Sequence, residues 1–273
     1  MATSRLSVAG SVFGGAATRE SNVAERVVVM CASTLFKGLS KDECFEIASC
    51  ARARTFLRDE LLFVQGQTAR NLVMIQSGSV KLSQLSSGGN EVILWMRGSG
   101  DPVGMPADSL SCSHSCSARA MEQCETLVWE YSRLQSLLAE YPQIRKNVSQ
   151  ILSDRLAELQ ERFREVATEK VAQRVALALL RLAKQVGRPA YGGVEVSLSR
   201  EELAQMTGTT LFSISRLLSK WGEEGFVLPK REAVVVLDSI RLGKVSEGDD
   251  EGSSDSVKIS PVFTSKLTPS FAI

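Results

Sequence analysis

With 273 residues, 44% of them hydrophobic, the chain can bury the cores of about two domains, and no uninterrupted apolar run offers a membrane span. A formal net charge of +1 excludes a diffusely basic chain, so any attraction to nucleic acid must be local. Six cysteines are too sparse at this length for a secreted disulfide framework and point to a reducing cytoplasm.

Residues 1–30 are rich in Ser, Ala and Gly and are expected to form a disordered arm. The apolar stretch Leu6–Phe13 is broken by Ser and Gly and does not read as a signal sequence. Leu35, Phe36 and Leu39 mark a short helix, and Ser40 to Ala51 a longer one with Cys44, Ile47, Ala48 and Ala51 on one face. From Arg54 to Tyr131 the pattern changes to short β-type runs, among them Leu61–Val64, Leu72–Ile75, Val80–Ser83, Val92–Met96 and Thr126–Trp129. Glycines punctuate them, as expected of a small antiparallel barrel, so residues 31–131 are read as one domain.

Residues 132–166 then read as a long helix whose apolar residues Tyr141, Ile144, Val148, Leu152, Leu156, Leu159, Phe163 and Val166 step by threes and fours. Pro142 is tolerated in a first turn or marks a break from a shorter helix before it. Such a narrow seam, flanked by Arg, Glu and Gln, suits a dimeric coiled coil or a helix packed on its own barrel. A more broadly apolar helix follows from Glu169 to Val186. Beyond it, Ser199 and Glu202 form a capping box for a helix bearing Leu203, Ala204 and Met206. Thr207-Gly208 supplies a turn, and Thr209 or Thr210 caps a second helix whose Ile214, Leu217, Leu218 and Trp221 share a face. Its opposite face carries Leu211, Phe212, Ser215, Arg216 and Ser219, the layout of a helix-turn-helix that reads DNA. Gly225–Pro229 and Ala233–Leu237, joined by Lys230-Arg231-Glu232, read as a two-stranded wing. The winged domain is placed at 167–240, and residues 241–273, with their run of Gly, Asp, Glu and Ser, are expected to form a disordered tail.

The run Ser199-Arg200-Glu201-Glu202-Leu203-Ala204-Gln205-Met206-Thr207-Gly208-Thr209-Thr210, followed by Ser213-Ile214-Ser215-Arg216-Leu217-Leu218 and Glu223-Glu224-Gly225-Phe226-Val227, resembles the Crp/Fnr superfamily of bacterial transcription regulators. The resemblance covers roughly residues 33–240 and is most specific in the helix-turn-helix. It implies an α+β fold: an antiparallel jelly-roll barrel of the cyclic-nucleotide-binding type, a long dimerisation helix and a C-terminal winged helix-turn-helix. It also implies a cytoplasmic homodimer that binds double-stranded DNA, meets RNA polymerase and answers a small effector, with no membrane partner.

By register Arg216 resembles the family's recognition arginine, suited to fork onto guanine O6 and N7. Ser213 and Ser215 are candidates for phosphates or base edges, and Thr210 for a phosphate at the helix N-terminus. Lys220, Lys230 and Arg231 are candidates for backbone phosphates. Two positions depart from the family: Phe212 replaces a glutamate that accepts from cytosine, and Leu211 replaces a second arginine. Either side chain can meet a thymine methyl, but neither reads hydrogen bonds.

The effector cassette departs further. Met105 stands where relatives that bind cyclic AMP hold ribose with a glutamate, His114 replaces their phosphate-binding arginine, and Ser115 follows it. Without a bidentate cation the cassette is degenerate for a phosphodiester, so the signal is expected to be something other than cyclic AMP. Cys112, His114 and Cys116 offer ligands for zinc, haem iron or an iron–sulfur cluster, although three so close in sequence rarely close a tetrahedral site. Cys31, Cys44 and Cys50 are spaced too widely for the tight N-terminal cluster of the family's oxygen sensors. Thiol redox sensing stays open, and no metal or cofactor is assigned. The competing reading is a redox, haem or small-ligand receptor acting mainly through protein contacts. An enzyme lacks support, since a lone histidine and no paired acid and base leave nothing to run the chemistry.

Overall fold

The computed structural model describes residues 14–104 and 113–248, with backbone alone for 14–22. It opens on α1 (Gly14–Ala32), a short 3-10 turn at Thr34–Phe36 and α2 (Lys41–Ser49). From Gly14 onward this corrects the expected disordered arm. Met30 is fully buried in one core with Phe36 and Trp129, and Val23, Val27 and Val29 pack against that core, so the helix has an apolar face with a core to cover it. Residues 1–13 lie outside the described residues.

Eight strands follow: β1 (Arg52–Phe56), β2 (Leu61–Phe63), β3 (Asn71–Ser77), β4 (Val80–Leu85), β5 (Glu91–Arg97), β6 (Pro102–Val103), β7 (Ser117–Ala120) and β8 (Cys124–Glu130). They form two antiparallel sheets, ordered β1-β8-β3-β6 and β2-β7-β4-β5, that face each other across Phe56, Ile75, Val80, Leu82 and Ala118. The sequence pattern missed β1, β6 and β7. Four of the five residues of β1 are exposed, β6 has two residues, and Ser117-Ala118-Arg119-Ala120 lacks the β-branched and aromatic residues that mark strands.

Pro142 marks a break. α3 (Tyr131–Glu140) ends at Tyr141, whose φ of −119° and ψ of 80° leave the helical region, and α4 (Pro142–Thr168) starts with proline in its first turn, where a missing N–H costs nothing. The Tyr141 hydroxyl donates to Glu46 Oε2 at 2.7 Å. Asn147 Nδ2 donates to the carbonyls of Leu35 and Lys37, both at 2.8 Å, which pins α4 on the 3-10 turn. Beyond Ile151, which is still buried in the protomer's core, α4 turns Arg155, Glu158, Arg162 and Glu165 inward and its apolar stripe outward. Arg155 donates to Pro102 O, Glu158 accepts from Arg97 at 2.8 Å, and Glu165 takes both arms of Arg181 at 2.9 and 3.0 Å. Leu152, Leu156, Leu159, Phe163 and Val166 are all exposed, Phe163 at 76%.

The C-terminal part comprises α5 (Val171–Gln185), β9 (Arg188–Ala190), β10 (Gly193–Val196), α6 (Arg200–Thr207), α7 (Leu211–Glu223), β11 (Val227–Pro229), β12 (Val234–Val236) and α8 (Ser239–Glu247). Its sheet runs β11-β12-β10-β9, so the expected two-stranded wing belongs to a four-stranded sheet. The expected disordered tail is corrected at its start: Asp238 caps α8, and Leu242 and Val245 are buried in the same core as α5. Residues 249–273 lie outside the described residues. Trp221 fills the centre of this core, fully buried with its ring 5.6 Å from that of Phe226. Trp221→Ala should cost about 3–5 kcal/mol of stability through the cavity it leaves, read as a lower thermal midpoint for the C-terminal part.

Candidate nucleic-acid interface and sensor site

The helix-turn-helix is fixed by its end groups. Ser199 Oγ accepts from Glu202 N at 3.1 Å while the Glu202 carboxylate accepts from Ser199 N at 2.8 Å, closing the capping box of α6. α6 stops at Gly208, whose φ of +62° is a left-handed value that a side chain disfavours. Thr210 caps α7, accepting from Ser213 N at 3.2 Å. Ile214, Leu218 and Trp221 are buried, which leaves Leu211, Phe212 and Arg216 exposed on the opposite face. Ser213 and Ser215 are half-buried at its margin, and the Thr210 and Ser213 hydroxyls lie 3.0 Å apart. The Arg216 guanidinium sits 5.7 Å from the centre of the Phe212 ring. Lys220 lies 3.8 Å from Glu224. In the wing turn Arg231 is exposed, and Lys230 is ion-paired with Glu195 on β10.

Several contacts that position this reader had no signal in the sequence. Ile93 and Met96 of β5 are buried in the reader's own core, so barrel and reader share apolar surface. One nitrogen of Arg162, Nη2, donates to Ile93 O at 3.1 Å and to Met206 O at 2.9 Å, tying α4, the barrel and the end of α6 together. Lys81 Nζ on β4 meets Glu202 Oε1 at 2.7 Å, with both side chains mostly buried. Arg58 reaches Glu232 in the wing turn at 3.2 Å. Glu202 was legible as a cap, but nothing at sequence level joins it to Lys81.

The sensor candidates are only partly brought together. Met105 and Cys112 lie outside the described residues. His114 stacks on Phe63 with ring centres 3.9 Å apart and planes 13° apart, and burial holds its pKa below the ordinary value. Gly104, at φ +63°, allows this packing: a Cβ there would lie 2.7 Å from the Phe63 ring. Ser115 is exposed, and its carbonyl accepts from Gln84 at 2.8 Å. Cys116 is buried, which pushes its thiol up despite the nearby Ser115 and Arg155. Among the described residues no three His, Cys, Asp or Glu side chains are grouped to hold a metal ion.

Two family descriptions match the chain: a cyclic nucleotide-binding domain over residues 53–141 and a Crp-like helix-turn-helix domain over residues 173–245. The Cyclic AMP receptor protein of Thermus thermophilus is 29% identical over 216 residues, which cover 79% of this chain and 98% of that protein. The transcriptional activator protein Anr of Pseudomonas protegens is 25% identical over 203 residues, covering 74% and 83%. Among solved structures, the c-di-GMP responsive global regulator CLP of Xanthomonas campestris superposes with a TM-score of 0.63 at 25% identity, over 73% of this chain and all of that one.

Burial pushes the Glu202 carboxyl up, but the hydrogen bonds from Lys81 and Ser199 outweigh it and leave the pKa below its usual value. The stabilisation is therefore fully present above the ordinary carboxyl pKa and is lost as pH falls through the lowered one. Lys81→Met should raise the Glu202 pKa, visible in a carbon-detected NMR titration of its carboxyl, and should move the acid unfolding of the barrel–reader contact to higher pH.

Proposed function

The chain belongs to the Crp/Fnr superfamily of transcription regulators, and from that premise we propose that it works as a cytoplasmic homodimer. Its two α7 helices read two half-sites of double-stranded DNA under control of a signal taken up in the barrel. The observation that carries this is the outer face of α4: Leu152, Leu156, Leu159, Phe163 and Val166 step by four, three, four and three and are all exposed. A seam of that period meets a second copy of itself in a left-handed coiled coil. Two readers joined through it can take half-sites about 34 Å apart on one face of the duplex.

In this reading Arg216 forks onto a guanine, and Leu211 and Phe212 supply apolar contacts. Thr210, Ser213 and Ser215 bond phosphates or base edges, while Lys220, Lys230 and Arg231 neutralise phosphates, Lys230 leaving Glu195 to do so. RNA polymerase is the protein partner of the bound dimer. The effector is a small ligand other than cyclic AMP: a neutral His114 stacked on Phe63 supplies no fork for a phosphodiester.

Leu156→Glu with Phe163→Glu should halve the mass seen by sedimentation and abolish tight operator binding while leaving the monomer folded, since both side chains are exposed within the protomer. An unchanged dimer would overturn the reading. In calorimetry, cyclic AMP should bind no tighter than about millimolar; micromolar affinity would show that the barrel has another cation for it.

A further inference from the structure

Phe212 is exposed at 69% and contributes nothing to the reader's core. An aromatic side chain left this open on a helix face needs a reason other than folding. It stands one helical turn before Arg216, so the two side chains are neighbours on the same face. The guanidinium lies 5.7 Å from the ring centre, within reach of a cation–π contact.

The chemistry of that contact differs from the ion pairs elsewhere in the molecule. Arg181 spends both arms of its fork on Glu165, and Arg97 donates to Glu158. A ring face attracts the guanidinium while accepting none of its N–H groups, so the whole planar fork stays free to donate outward. An arginine side chain otherwise brings large rotamer freedom to a base contact, and holding it beforehand reduces what binding must freeze. A carboxylate at the same position would draw the fork to itself.

We infer that Phe212 is a positioning residue for DNA reading: its ring orients Arg216 for a guanine and thereby sets the chain's base preference at that pair. This rests on the reading of α7 as the DNA-contacting helix. The ring acts through Arg216, so its effect must appear as base discrimination and not as a uniform change in affinity.

The test uses the full chain as a dimer and a duplex selected by it from a random-sequence pool, together with copies in which each base pair is exchanged in turn. Arg216→Ala identifies the pair that Arg216 reads. Phe212→Leu keeps an apolar side chain but removes the ring face, and Phe212→Tyr keeps the ring. At the pair marked by Arg216→Ala, Phe212→Leu should lower discrimination by about 2–5-fold, while Phe212→Tyr should restore it. In the Arg216→Ala background, Phe212→Leu should have no further effect at that pair. Circular dichroism melts of all variants should match the parent, because neither side chain is buried. If Arg216→Ala marks a pair and Phe212→Leu still discriminates there like the parent, the positioning role is overturned while the helix remains the reader. A loss that is equal for every duplex, or one that Phe212→Tyr fails to restore, also overturns it. If Arg216→Ala leaves the preferences unchanged, the assignment of α7 as reader fails, and the positioning role fails with it.

Discussion

The inverted amphipathicity of α4 is the constraint on which the rest of the molecule depends. A surface helix usually buries its apolar stripe and shows its charges to water. Here Arg155, Glu158, Arg162 and Glu165 face the protein, and the leucine and phenylalanine stripe faces away. Neither face is satisfied alone. The charged face needs the carbonyls of Pro102, Ile93 and Met206 and the side chains of Arg97 and Arg181, while the apolar face stands exposed among the described residues. One helix therefore serves intramolecular polar geometry on one side and, in the proposed dimer, hydrophobic association on the other.

Directional contacts suit the inner side. Apolar surface attracts without specifying an angle, whereas a guanidinium bonded to named carbonyls fixes orientation. Arg162 holds Ile93 of the barrel and Met206 of the reader from a single helix position, so the reader's place relative to the seam is set within the protomer. Replacing Glu158 by an apolar residue would strand the buried Arg97 guanidinium, at a cost that stays below that of a fully buried pair because Glu158 is itself only half-buried. That sensitivity makes this junction a defined geometry and not merely an adhesive one.

The reader's docking is of two kinds. Ile93 and Met96 give it apolar contact with the barrel, while Lys81–Glu202 and Arg58–Glu232 add ionic contacts at the margin. Glu202 belongs to both layers of organisation: it closes the cap of α6 and receives Lys81 from β4. The start of the DNA-reading motif is thus tied directly to a strand of the sensor domain. None of these ties covers Phe212 or Arg216, which stay open on α7.

The sequence by itself determined the elements whose physics is local. The Ser199–Glu202 box, the glycine at 208, the Ile214–Leu218–Trp221 face and the heptad stripe of α4 follow from spacing, because capping and helical periodicity involve residues only a few positions apart. Strands poor in β-branched residues, such as Ser117–Ala120, were not legible, since their pairing with β2 and β4 depends on segments far away in sequence. The same holds for α1 and α8: a Ser- and Gly-rich neighbourhood looks unstructured until Met30 and Leu242 find cores to enter. Tertiary structure alone decided which way α4 faces, that His114 lies flat on Phe63, and that Lys81 reaches Glu202. An apolar stripe announces that it will be covered, but only the folded chain shows that the described barrel leaves it open.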